Sequence, residues 1–409
     1  MACLGRAESR VGWISAPHAS IEGPTRNRLV VVAPYLLALS VLMRFAVTYL
    51  APNGTNFIDL HVYVDGAATM DHGGLYDFVY HPAIPPIPLQ FTYPPFAGLL
   101  FYPLHFLPFP IVALLWQLGV VAALYGAAVL TLKLLKRPDP RMAMAWTALA
   151  IWFEPVRHLF ELGQVGGLLM LAVLWAVYSR SWWVSGVLLG LAAGVKLTPA
   201  VAGLYFVGAR RWKAVTLSAV VFVLTVAVSI ALGGAQARFY FTDLLGDADR
   251  VGEVDKPTNQ SLRGVVAILT GEDSGYGPLL VAAVVVTAVL SVLAWRRVGA
   301  DDPLGRIVVV MLFGLLLSPI SWTHHWVWVL PLIMWLMLGP MCERTRALGW
   351  AWMVLVYLGP PWLVVLADES GWITGRHWYT AVAGSLYVLA TVATLAYVAF
   401  VSRRSRLSG

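Results

Sequence analysis

Asp59 stands in Phe57–Tyr63 (FIDLHVY), just after an apolar run of about twenty residues. A carboxylate at the edge of such a run is costly, and so marks a functional site by default. Other polar islands interrupt an otherwise apolar chain. Tyr63 and Asp65 follow Asp59. Arg157 and His158 stand with Glu161 and Gln164, and Lys196 sits in KLTP. Asn259, Gln260 and Ser261 precede Arg263, and Trp322 precedes His324 and His325 in SPISWTHHW. Together they supply one candidate base, several cations and hydrogen-bond donors, and aromatic faces. That inventory suits displacement at a sugar carbon that carries a phosphate leaving group. The base takes the proton of an attacking hydroxyl. The departing phosphate is already charged, so it needs cations and N–H donors rather than an acid. Trp and Tyr rings suit sugar C–H faces.

The elements that must position these islands are membrane helices. Of 409 residues 59% are hydrophobic and 12% charged, about half the charge of an ordinary soluble domain. Apolar runs recur from Leu29 to Val401, which predicts an all-α, polytopic helical membrane protein; the alternating short segments of a β-barrel are not seen. One integral domain is expected over residues 29–401, with large outer loops at 51–91 and 233–277, a polar basic segment at 1–28 and a basic tail at 402–409. Arg6, Arg10, Arg26 and Arg28 place the N-terminus in the cytoplasm. About twelve crossings of the plasma membrane then leave both termini inside, the short basic turns inside and the polar islands outside. Phe91–Leu107 is short and broken by Pro94, Pro95 and Pro103, so it is read as re-entrant rather than crossing. Val184–Val195 and Pro199–Gly208 are each about 18 Å long or less, too short to span, and they hold Lys196 between them in the outer half of the membrane zone. Asp59–Met70 is read as an amphipathic interfacial helix with Asp59, Tyr63 and Gly66 on one face. The net charge of +7 lies beside the spans, where it faces anionic lipid rather than nucleic acid. Cys3 and Cys342 fall in cytoplasmic segments, so no disulfide is expected. No cleavable signal peptide is evident.

Each island also has a structural reading. Asp59 is either a base or the N-cap of the following helix. Arg157 and Glu161 either face a ligand or pair along one helix face. Lys196 either meets a phosphate or snorkels outward. Asn259–Arg263 is either a binding segment or a capped helix start. Adjacent histidines point apart, so at most one of His324 and His325 faces the site, with His324 preferred; the pair is not a metal motif. Asp71, Asp77, Asp243, Asp247, Asp249, Glu253 and Asp255 read as solvated loop charges. Walker, dinucleotide and nucleophile-elbow motifs are absent from the sequence, leaving ATPases, nucleotide-sugar enzymes and serine hydrolases without support.

FIDLHVYVDGA, LYDF, FTYPPF, RHLFELGQVG, GVKLTP, NQSLRG and SPISWTHHW together resemble the GT-C superfamily, and within it the actinobacterial α-1,2-mannosyltransferases. The likeness spans roughly residues 30–340. It implies a polyprenyl-phosphate mannose donor and a phosphatidylinositol mannoside acceptor within the lipid membrane. Asp59, matching the family's first-loop acid, would deprotonate the 2-hydroxyl of a terminal mannose, with inversion. Lys196, Arg157 and His324 or His325 would hold the donor phosphate. Tyr63, His158, Glu161, Gln164, Asn259, Gln260, Arg263 and Trp322 would line the substrate site. Gly166 departs from the Asn associated with that position. No metal or other cofactor is expected. Two rivals stand beside this reading: an arabinofuranosyltransferase using polyprenyl-phosphate arabinose, and a lipid-linked sugar transporter or flippase. A transporter calls for related halves and polar groups on both sides of the membrane, whereas these islands gather on one.

Overall fold

The structure, a computed structural model, describes residues 24–50, 56–82, 88–247, 250–371 and 377–401. The expectations for the basic N-terminal segment with Cys3, for Asp249 and for the 402–409 tail fall outside the described residues. The described residues are mostly helical. α1 (Pro24–Leu50) leads to the short α2 (Ile58–Ala68), to a two-stranded antiparallel hairpin of β1 (Val79–Tyr80) and β2 (Leu89–Gln90), and to α3 (Pro95–Phe101). α4 (Phe109–Leu134), α5 (Pro140–Ala150), α6 (Glu154–Leu162), α7 (Gly166–Tyr178), α8 (Trp182–Val195) and α9 (Gly203–Gly208) follow. α10 (Trp212–Phe239) precedes α11 (Leu262–Thr270), α12 (Pro278–Val298), α13 (Pro303–Leu317) and α14 (Val329–Leu338). α15 (Cys342–Leu358), α16 (Pro360–Glu369), α17 (Trp378–Ala383) and α18 (Leu386–Phe400) complete the chain.

Five helical stretches among the described residues are long and apolar enough to cross a membrane: Val30–Leu50, Phe109–Leu134, Trp212–Leu244, Pro278–Val298 and Cys342–Glu369. α6 and α7 form a sixth if their pair, bent by 118°, is taken as one broken span. α8, residues 198–208, α13, residues 323–338 and α18 are shorter apolar helices. The Phe91–Leu107 stretch holds only the seven-residue α3 and a 3-10 turn at Tyr102–Phe106.

Close helix packing relies on small residues, because lipid gives apolar faces little reason to prefer one another. α8 packs along α10, and Gly186, Gly190 and Gly194 form the contact stripe. A Cβ on these three would sit 2.7 Å from Leu217, 2.6 Å from Val221 and 2.6 Å from Thr225. α1 packs on α5, α4 on α7, and α12 on α18. Helix starts are set locally: Asp139 caps α5 by accepting from Arg141 N and Met142 N at 3.0 and 3.1 Å, and Asp302 caps α13 while accepting from Trp335 Nε1 at 2.7 Å.

Three expectations need correction. α2 is not an amphipathic interfacial helix: Leu60, Tyr63 and Ala67 are fully buried, because α3, α6 and the hairpin surround it. Asp59 is not an N-cap. The cap position belongs to Phe57, in the left-handed region at φ 48°, and its N–H donates to the Glu161 carbonyl at 3.0 Å. The outer loop expected at 233–277 begins as helix: α10 continues past a break at Gly234 (φ 59°), a π-turn follows at Tyr240–Leu244, and α11 lies within the remainder.

Candidate active site

Asp59 lies in the first turn of α2, where unpaired helix N–H groups favour a carboxylate. It is half-buried. Burial pushes its carboxyl up to about 6, with the Gln164 hydrogen bond and the Lys196 charge pulling it back. Gln164 Nε2 donates to Asp59 Oδ2 at 2.7 Å. Asp59 Oδ1 accepts no side-chain hydrogen bond among the described residues.

Gln164 is held from behind. Its Oε1 accepts from the hydroxyls of Tyr63 and Tyr93, each at 3.0 Å, and the two phenol oxygens lie 2.7 Å apart. Lys196 Nζ donates to the Tyr93 hydroxyl at 3.0 Å and to His325 Nε2 at 3.0 Å, with the ammonium 4.8 Å from the Tyr93 ring centre. An ammonium only donates, so His325 Nε2 accepts and Nδ1 carries the proton. That Nδ1, and Nε2 of the neighbouring His324, are buried without a partner among the described residues.

Local sequence places each of these groups at a helix break. Gly163 ends α6 in the left-handed region at φ 75°. A Cβ there would meet Leu60 Cβ at 2.5 Å, so only glycine lets the bend that carries Gln164 lie against α2. Lys196 falls where α8 stops before Pro199, and His325 in the 3-10 turn Thr323–Trp328. Lys196 and His325 also line a crevice whose other walls are mainly apolar: Leu169, Met170 and Val173 of α7, Val201, and Met311 and Leu315 of α13. Gly166 lines it too.

Not every expected residue joins this centre. His325, rather than His324, bonds to Lys196, because adjacent residues of a 3-10 turn diverge by about 120°. Arg157 lies 3.6 Å from Glu161, the pairing along one helix face. Glu161 also meets Arg44 at 3.4 Å and His158 at 3.6 Å. His158 is buried, 3.2 Å from Glu154 and 3.4 Å from the Thr323 hydroxyl, and Glu154 accepts from Tyr387 at 2.6 Å. This largely buried ladder ties α1, α6 and α18 together.

Asn259 and Gln260 are fully buried with their amides fully engaged. Asn259 Nδ2 donates to the carbonyls of Val254 and Pro319, and its Oδ1 accepts from Ser321 N. Gln260 Nε2 donates to the carbonyls of Pro257 and Gly384, and its Oε1 accepts from Tyr387 N. Satisfied amides have little left for a ligand; these two clamp the segment that precedes α11 to Pro319, Ser321, Gly384 and Tyr387. Ser261 caps α11, so the capped-start reading also holds. Arg263 forks onto Asp273 at 3.0 and 2.5 Å, closing its own loop. Trp322 pairs with Asn259 in an isolated bridge and lies over Gly252.

Sequence reasoning missed Tyr93 and Arg44. Tyr93 lay inside FTYPPF, one residue before a proline that holds it extended. Arg44 is the one charge in Leu29–Leu50, a signal of the same kind that singled out Asp59. It is fully buried, and its Nε and one terminal nitrogen have no partner among the described residues. Among the described residues no three His, Cys, Asp or Glu side chains converge as a metal site.

Comparison with known proteins gives this arrangement a context. No solved structure matches the chain. A protein of Mycolicibacterium smegmatis is 56% identical over 384 residues, covering 93% of this chain and 94% of that protein; it is named polyprenol-phosphate-mannose-dependent alpha-(1-2)-phosphatidylinositol pentamannoside mannosyltransferase. A Mycobacterium tuberculosis protein of the same name is 55% identical, covering 92% of this chain and 88% of that protein. A second M. tuberculosis protein, named as a phosphatidylinositol mannoside mannosyltransferase with the same donor, is 33% identical, covering 81% of this chain and 82% of its own. The model of glycosyltransferase family 87 matches residues 91–319. A helical body with membrane-length spans, a carboxylate with a free oxygen and relatives of this similarity lead to one conclusion: the chain belongs to glycosyltransferase family 87.

Proposed function

We propose that the chain transfers mannose from polyprenyl-phosphate mannose to the 2-hydroxyl of a terminal mannose on a phosphatidylinositol mannoside. Transfer inverts the anomeric centre and takes place at the outer face of the plasma membrane. The single observation that carries this is a half-buried carboxylate linked through Gln164 and Tyr93 to a lysine at an apolar crevice. Asp59 Oδ1 takes the proton of the acceptor hydroxyl as its oxygen attacks the anomeric carbon. The bond from that carbon to the phosphate oxygen breaks, and its electron pair leaves with polyprenyl phosphate. A β-linked donor thus gives an α-1,2 product. Lys196 has one N–H left after Tyr93 and His325; its charge stabilises the leaving phosphate, to which His325 Nδ1–H donates a hydrogen bond. The apolar walls suit the polyprenyl chain. On the proposed topology of about twelve crossings in a single integral domain, with both termini cytoplasmic, the Asp59 centre faces the periplasm. Arg157, Glu161 and Trp322, whose side chains stay partly exposed, are candidates for contacting the acceptor sugars, whereas His158 is buried and engaged on both ring nitrogens.

The test is transfer by purified, reconstituted protein supplied with radiolabelled polyprenyl-phosphate mannose and phosphatidylinositol tetra- or pentamannoside. An α-1,2-mannosylated lipid is expected. It should fall by about 10²–10⁴-fold with Asp59→Asn, the range for a lost general base. Product from both proteins would remove Asp59 as base. Product only from polyprenyl-phosphate arabinose would move the chain to the arabinofuranosyl reading.

A further inference from the structure

We propose that Tyr93 is a positioning residue for this reaction, joining the lysine that meets the donor's phosphate to the base that meets the acceptor's hydroxyl. The inference rests on the functional reading above. Lys196 Nζ to Tyr93 Oη, Tyr93 Oη to Gln164 Oε1 and Gln164 Nε2 to Asp59 Oδ2 form an unbroken chain at 3.0, 3.0 and 2.7 Å.

The chain has one direction. The ammonium can only donate, so the Tyr93 oxygen accepts; its one hydrogen goes to Gln164 Oε1 or to the Tyr63 oxygen, whose own hydroxyl donates to Gln164 Oε1, and by either route the amide oxygen accepts. That turns the amide nitrogen toward the carboxylate, which can only accept. The amide is thereby held in one of its two orientations. Asp59 Oδ2 is occupied, and Oδ1 is left for the acceptor.

Tyr93 itself has little freedom. It is buried, its carbonyl accepts from the Tyr76 hydroxyl at 3.0 Å, and its ring lies edge-on to Tyr63 at 5.0 Å. The groups facing Asp59 are Gln164, Lys196, Tyr63 and Tyr93, and Tyr93 touches the other three of its own chain and pair: Lys196, Gln164 and Tyr63. Removing its hydroxyl leaves Lys196 held by His325 and the Gln164 oxygen held by Tyr63. Both ends of the reaction then lose a fixed reference to one another.

Tyr93→Phe tests this, because it keeps the ring under the Lys196 ammonium and deletes only the hydroxyl. In the reconstituted assay we expect kcat to drop about 10–100-fold with donor KM within about threefold, the pattern of lost alignment rather than lost binding. The acid limb of the pH profile should move up by about half to one pH unit, because a loosened Gln164 amide no longer favours the carboxylate form. Gln164→Leu cuts the same chain one link on and should move the limb the same way. The double variant should be no worse than Gln164→Leu alone, since links in series are not additive. An unmoved limb in both single variants, or additive losses in the double variant, overturns the proposal. So does a lower yield of folded protein with unchanged turnover per folded molecule, which is what a purely structural role would give. A wild-type protein that transfers no mannose removes the functional reading itself, and this inference with it.

Discussion

Gly163→Ala is the most searching single change to this site. Gly163 ends α6 at φ 75°, and an added Cβ would lie 2.5 Å from Leu60 Cβ, 3.4 Å from Leu60 N and 3.5 Å from its Cα. Ordinary carbon contacts are about 3.5–4.0 Å, so about 1 Å must be found. The obstructing atom is rooted in the α2 backbone and cannot swing aside. Left-handed strain costs about 1–2 kcal/mol and overpacking about 1–3 kcal/mol, together about 2–5 kcal/mol. The displacement falls between the two residues that matter most, since Leu60 follows Asp59 and Gln164 follows Gly163. A shift of about 1 Å breaks the Gln164–Asp59 hydrogen bond and lowers turnover about 100-fold. Thermal unfolding in detergent and mannosyl transfer per folded molecule measure the two effects. Gly275→Ala is the control: its φ is +60° with nothing within 4 Å of an added Cβ, so it should lose about 1 kcal/mol and keep full turnover. A Gly163→Ala protein with wild-type melting and turnover would refute the reasoning that close approach at this bend sets the site.

Further outcomes can be checked with the same assay. The base proposed here, Asp59, works only when ionised, and its carboxyl is raised to about 6; kcat/KM should therefore climb about tenfold per pH unit below 6 and level off above about 7. Lys196→Met keeps the bulk and removes the charge, so donor KM should rise about 10–100-fold, and the acid limb should move upward because the cation no longer favours ionised Asp59. Asn259→Ala strips the clamp of its bonds to Val254, Pro319 and Ser321; it should cost about 2–4 kcal/mol in stability, read as a lower melting temperature, while substrate KM per folded molecule stays unchanged.

Much of the site was legible because charge is rare in this chain. Asp59 and Lys196 stand out against apolar flanks, and Lys196 was correctly placed where two truncated helices meet. Tyr63 and Gln164 fell in the islands that the fold gathers around Asp59. What the sequence hid is which polar groups spend their capacity on one another. Asn259 and Gln260 look like ligand contacts until their backbone partners, as distant as Gly384, are seen. Arg157 and Glu161 had both readings open, and geometry favours the ion pair. Tyr93 was hidden because a phenol in an aromatic, Pro-rich stretch reads as an interfacial ring. His325 over His324 required the phase of a 3-10 turn. The extent of α10 was missed because Gly233 and Gly234 read as the start of a loop, whereas the helix resumes after the break at Gly234.

The Asn259–Gln260 clamp has a consequence for where this enzyme begins and ends. The family signature runs from 91 to 319, yet Asp59 precedes it and the clamp's far anchors, Gly384 and Tyr387, follow it. Tyr387 also holds Glu154, so the last helix reaches the base of the helix bearing His158 and Glu161. The stretch most readily recognised by ancestry is thus not the stretch that stands up mechanically. The flanks outside the signature serve here as the brackets on which the middle is mounted, and a fragment cut to the signature would lose both the proposed base and its buttress.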